Sequence, residues 1–216
     1  MDNIIKKAIL LSLLTTTILF LLSFASSAAF DFLRMDKIGY TYEITQLKAD
    51  SYILEQELYE INGINPCGLL ESRLWELKEK VGELGLDMTI YRGQSIFLKD
   101  DFLRWKRKYI QAELHFFTLA QYIQSQCKTD KNIIIFFFKP DHEKSITQGF
   151  ILQELAREFN DTVAILSFDI EYEDEPVLDH IKLNLNITDE PVMIMPNGTK
   201  LFPLSYIGEI KQYIKS

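Results

Sequence analysis

The side chains able to do nucleophilic or metal chemistry are two cysteines, Cys67 and Cys127, and three histidines, His115, His142 and His180. A thiolate attacks disulfides, an imidazole moves protons or holds zinc, and either needs partners at set spacings. These five residues are scattered singly, so no Cys/His cluster suits zinc. No glycine-rich phosphate loop, HExxH or GxSxG segment occurs. His142, between Asp141 and Glu143, invites an acid–base or metal role at a loop rim. Adjacent loop side chains seldom converge, so it reads as a solvated residue at a helix start. The acidic run Glu171, Glu173, Asp174 and Glu175 lacks the spacing and glycine of a calcium loop and reads as a solvated loop. No cofactor is expected.

Composition narrows the partners. Of the residues, 47% are hydrophobic and 25% charged, which suits a folded chain, and the net charge of −8 argues against nucleic-acid binding. One basic run, Arg104, Lys106, Arg107 and Lys108, alternates with Phe102, Trp105 and Tyr109. It reads as the wet face of an amphipathic helix, with anionic headgroups as the alternative contact.

Ala8 to Phe30 carries no charge. As a helix it spans about 35 Å, enough for the roughly 30 Å hydrocarbon core of a bilayer. Lys6 and Lys7 precede it, and the small residues Ala25 to Ala29 close it, so a retained anchor competes with a cleaved signal peptide. Either reading places the rest outside the cytoplasm. Sequons at Asn160, Asn186 and Asn197 lend modest support.

A helix is predicted from about Met35 to Glu60, with Ile44, Leu47, Leu54, Leu58 and Ile61 on a heptad-like seam that Ser51 interrupts. The seam is expected in the core; the alternative is a membrane-proximal coiled-coil homodimer through residues 40–60. Asn62 to Pro66 breaks that helix. A second carries Leu70, Leu74, Leu77, Val81 and Leu84, and Gly85 to Leu98 reads as irregular. A third, from Asp100 or Asp101 to before Lys128, carries Phe102, Trp105, Tyr109, Ala112, Phe116, Leu119 and Ile123. Cys67 opens the second helix and Cys127 closes the third. Antiparallel packing sets them within disulfide reach, while a reactive Cys67 at a helix start and two inert thiols stay open as alternatives.

From Asn132 the pattern becomes α/β. Ile133–Phe138 reads as a strand buried on both faces, and a helix follows with Phe150, Ile151, Leu155 and Phe159 as its apolar face. Next come a strand at Val163–Phe168, a helix at Glu175–Leu185, and a strand at Pro191–Met195. Asn197-Gly198 turns into a strand at Lys200–Phe202, and a helix closes the chain at Tyr206–Ile214. The order β-α-β-α-β-β-α implies a mixed sheet with helices on its faces.

Three segments carry a family resemblance: Ile134 to Asp141, Gln148 to Leu155, and Asn186 to Gly198. In order and spacing they resemble the thioredoxin-like superfamily, in particular membrane-anchored extracytoplasmic members, over about residues 131–216. The resemblance implies a thioredoxin-like mixed sheet with flanking helices, preceded by an N-terminal transmembrane helix (1–30) and a small all-α helical segment (31–130). The family's Cys-x-x-Cys falls on His142-Glu143-Lys144-Ser145, where neither residue can form or resolve a mixed disulfide. Pro191 falls on the family's cis-proline. The implied function is a redox-inactive protein-binding or scaffold module at the outer membrane face. An extended peptide would lie along His142, Glu143, Lys144, Ser145, Glu190 and Pro191. The alternative is a thiol-disulfide oxidoreductase working through Cys67 and Cys127 or through a partner's cysteines.

Overall fold

A computed structural model describes residues 2–63, 66–94, 99–127, 129–188 and 191–214, the side chains of 2, 3, 90–94 and 99–101 excepted. Helix α1 (Asp2–Asn62) is continuous through the apolar segment and the predicted Met35–Glu60 helix. At 1.5 Å per residue its 61 residues reach about 90 Å. Its N-terminal part is long and apolar enough to cross a membrane. Helix α2 (Cys67–Gln94) runs back along α1, and α3 (Lys99–Gln126) returns. The helix thus extends through Gly85–Gln94, where the sequence reads as irregular, because Leu84 and Met88 continue the buried stripe of Leu70, Leu74, Leu77 and Val81.

The α3 stripe lies inside as expected: Ala112, Phe116, Leu119 and Ile123 are buried. On α1 the expectation fails. Its buried face is Ile38, Thr41, Thr45, Ala49 and Tyr52, whereas Leu47, Leu54 and Ile61 of the seam are 58%, 59% and 80% exposed. Between Ile38 and Tyr52 the inner face is made of small residues, Thr41, Thr45 and Ala49, which let the helices approach. Gly39 is the extreme case: a Cβ there would stand 3.1 Å from the Trp105 ring of α3. Thr45 conceals its hydroxyl by donating to the Thr41 carbonyl (2.7 Å).

The C-terminal part is a mixed α/β unit. Strands β1 (Asn132–Phe138), β2 (Val163–Asp169), β3 (Val192–Ile194) and β4 (Lys200–Leu201) form one sheet in the order β2-β1-β3-β4. β1 and β2 are parallel; β3 is antiparallel to both β1 and β4. As the central strand, β1 is buried on both faces, which explains its unbroken apolar run. Ile133, Ile135 and Phe137 join the core shared with the helical unit and with α5 (Pro176–Asn184). Ile134 and Phe136 face the other way, onto the second core formed with α4 (Glu143–Glu158) and α6 (Ile207–Lys211).

Helix α4 buries Ser145, Gln148, Leu152 and Leu155, not the expected Phe150, which is 68% exposed. Gln148 is accepted inside because its carboxamide is fully answered. Its Nε2 donates to the Ser205 carbonyl (3.0 Å), and the Ser205 N–H donates to its Oε1 (2.8 Å).

Candidate functional site

The loop leaving β1 turns at Asp141, whose φ of 57° is left-handed, and enters α4 at His142. Glu143 and Lys144 are exposed, while Ser145 is 4% exposed and accepts the Lys139 N–H at 3.0 Å (Oγ). Ser145 therefore ties the loop down from within. His142 directs its ring inward: Nδ1 is buried with no hydrogen-bond partner among the described residues. Pro191 is also buried. Since Phe137 pairs with Val192, Pro191 stands one step further along, level with Phe138 where the loop begins. The fold thus brings His142–Ser145 and Pro191 to the same end of β1. Glu190, and the peptide bond joining it to Pro191, lie outside the described residues.

Next to this loop a cleft of about 540 Å³ opens between α2 and α4. Gly82 and Leu86 form one wall, Gly149 and Gln153 the other, and Pro140 of the loop lies at its rim. Its floor is the β2 edge strand with α3: Ile165, Ser167, Tyr109 and the ion-paired Lys106 and Asp169. A Cβ at Gly82 or Gly149 would meet nothing within 4 Å, so these glycines leave space open.

Beneath the floor is Glu113, a residue that pattern reading missed. It is 1% exposed, and its Oε1 accepts both the Tyr109 hydroxyl (2.9 Å) and the Ser167 N–H (2.8 Å). One carboxyl group thus caps the open edge of β2. Its Oε2 is buried without a partner among the described residues. Burial drives the Glu113 pKa up to about 8, against the lowering effect of those two hydrogen bonds, so the protonated form is favoured. Burial likewise raises Tyr109, helped by the neighbouring Glu113. A Cβ at Gly85 would come within 3.0 Å of the Tyr109 hydroxyl, so glycine there lets this pair sit against α2. The available signal was a glutamate on the apolar stripe, four residues after Tyr109 and three before Phe116.

The charged segments serve the join between helices and sheet. Lys106 pairs with Asp169 and Arg107 with Glu175 (3.5 Å), and Lys108 stands over the Trp105 and Tyr42 rings. The basic run is therefore largely engaged within the molecule, where the sequence reads as a wet face. Glu175 is buried and accepts Gln111 (3.3 Å), so the acidic run is only partly the solvated loop expected. Among the described residues no group of three or more His, Cys, Asp or Glu is placed to hold a metal.

Cys67 and Cys127 are joined in a disulfide with their Cα atoms 5.6 Å apart. Closing about 60 residues, it contributes roughly 4 kcal/mol on the chain-entropy model. Along the chain Cys127 precedes β1 by five residues, whereas the loop follows its other end. The sequons fall on exposed turns. The Asn160 carbonyl accepts from Trp75 (3.3 Å) and Lys78, the Asn186 carbonyl accepts from Lys200 (3.0 Å), and Asn197 Oδ1 accepts the Thr199 N–H (3.0 Å). Comparisons with family models, with curated proteins and with solved structures return no match.

Proposed function

We propose that the chain is a membrane-tethered, thioredoxin-like module that binds a protein or peptide segment and performs no dithiol exchange. The observation that carries it is that both cysteines are bonded to each other, leaving no free thiol, while His142 to Ser145 forms the N-cap and first turn of α4 after β1. The strand order β2-β1-β3-β4, the loop-to-helix passage after β1, and Pro191 level with that loop support the thioredoxin-like reading. A disulfide favours an oxidising compartment and so the outer face. The cleft beside Pro140, with its largely apolar lining and ion-paired floor, extends the binding surface beyond the loop itself.

The tether sets an orientation. Trp105 meets α1 at Gly39, nine residues past Phe30, hence about 14 Å along the helix from the uncharged segment. Lys106 holds Asp169, and Asp169 is paired in register with Phe138. The loop end of β1 accordingly faces the membrane side, and the segment it binds is a membrane-proximal one. The deciding measurement is insulin-disulfide reduction by the full chain in micelles. No turnover above buffer is expected; robust turnover that vanishes in Cys67→Ser would establish the oxidoreductase reading instead.

A further inference from the structure

The outward face of α1 has a regular chemistry that the core does not use. Leu33, Tyr40, Leu47, Leu54 and Ile61 recur every seven residues, and all five are exposed. The alternate line, three residues before Tyr40, Leu47, Leu54 and Ile61, is Lys37 (held by Asp87), Ile44, Ser51 and Leu58. In heptad terms these are the d and a positions of a coiled-coil seam. Beside the seam, at each g position, stands an exposed acid: Asp36, Glu43, Asp50 and Glu57. None of the four forms an ion pair with a described residue. On the other flank, Lys48 and Glu55 are engaged by Glu76 and Arg73 of α2.

Within the uncharged segment the two lines continue as Ser26, Leu19 and Ser12 and as Phe30, Ser23, Thr16 and Ile9, so hydroxyl residues hold four of the seven places. In water helices associate through apolar residues; in lipid they associate through small and hydroxyl-bearing ones. The line changes composition in that sense on leaving the uncharged segment.

We propose that this strip docks the helix of a second membrane-anchored protein, parallel to α1, with apolar heptads flanked by Lys or Arg. Charge decides against a second copy. In a parallel pair each g residue faces the e residue of the next heptad. Two copies would set Asp36 on Thr41, Glu43 on Lys48, Asp50 on Glu55 and Glu57 on Asn62. That gives one attractive pair with an already engaged lysine, one repulsive pair, and two unanswered acids. A basic flank answers all four. Because a strict seven-residue line drifts across a straight helix, the partner wraps left-handed.

The test uses the full chain in nanodiscs and two synthetic 28-residue helices with identical apolar a and d residues, one with Lys and one with Glu at e. Fluorescence anisotropy should show the Lys helix binding about tenfold tighter, with the margin shrinking in high salt. Leu47→Glu with Leu54→Glu should abolish binding while shifting Tm by less than about 2 °C, since both sites are solvent-facing. Replacing Asp36, Glu43, Asp50 and Glu57 by Lys should reverse the preference. Binding that ignores helix charge, or no binding at all, overturns the proposal. So does a dimer of the chain alone, seen by light scattering and dissolved by Leu54→Glu, which would assign the strip to a second copy. A collapse of the fold in the double variant would show the strip to be core and overturn it too.

Discussion

Helices α1 and α3 both carry an apolar stripe, and the molecule treats the two stripes oppositely. The α3 helix lies between α1 and α2 on one side and the sheet on the other, so Phe116, Leu119 and Ile123 are covered. The α1 helix stands at the margin and offers the core its smaller residues, Thr41, Thr45 and Ala49, while Leu47, Leu54 and Leu58 face out. An amphipathic pattern therefore states that a face is to be covered, but not by what. On α3 the cover is the chain itself; on α1 no described residue supplies it.

The sharpest break in that comparison is at the α3 stripe. Phe116→Ala should lower the unfolding free energy by about 3–5 kcal/mol in urea titrations, because the ring is fully enclosed. A loss under about 1 kcal/mol would mean that the α3 stripe is no drier than that of α1.

A second prediction concerns Glu113, the acid that α3 buries among its described side chains. The folded-state pKa of Glu113 lies above its unfolded value, at about 8, so the folded chain holds a proton the unfolded chain releases. Its contribution is fully present below the unfolded pKa and is lost as pH rises through about 8. Glu113→Gln keeps an acceptor for the Tyr109 hydroxyl and the Ser167 N–H but removes the titration. Between pH 5.5 and 8.5 the variant should gain on the wild type by on the order of 2–4 kcal/mol. Parallel pH–stability curves would refute the buried neutral carboxyl.

The smallest effect is expected where the sequence alone suggests a large one. Leu54→Ala should change stability by no more than about 0.5 kcal/mol in thermal unfolding, since the side chain is mostly in solvent. A loss above 2 kcal/mol would return the seam to the core and erase the contrast.

Much of the fold is legible in the residues. The unbroken run Ile133 to Phe138 marks the doubly covered central strand, and Cys67 and Cys127 mark the same end of an antiparallel helix pair. The approximate places of all four strands follow from turn residues and β-branched runs. The candidate site is legible only in part. His142 to Ser145 and Pro191 do meet at one end of β1, but that Ser145 points inward to the Lys139 N–H is not written in the tetrapeptide. Nor is the cleft, whose walls come from Gly82 on one helix and Gly149 on another, far apart in sequence. Phe150 misleads for a similar reason: helix α4 turned Gln148 inward once Ser205 supplied both hydrogen bonds.

Residue order carries whatever depends on neighbours along the chain: a charge-free segment long enough for a bilayer, the helix and strand periods, and the lack of thiols just after β1. Which apolar stripe is dry, where Glu113 is held, and how the basic run of α3 is spent on Asp169 and Glu175 depend on the packed chain. The reason is one of range. Backbone preference and side-chain periodicity act within a few residues, whereas burial and charge pairing are fixed by surfaces that folding brings together from distant parts of the chain.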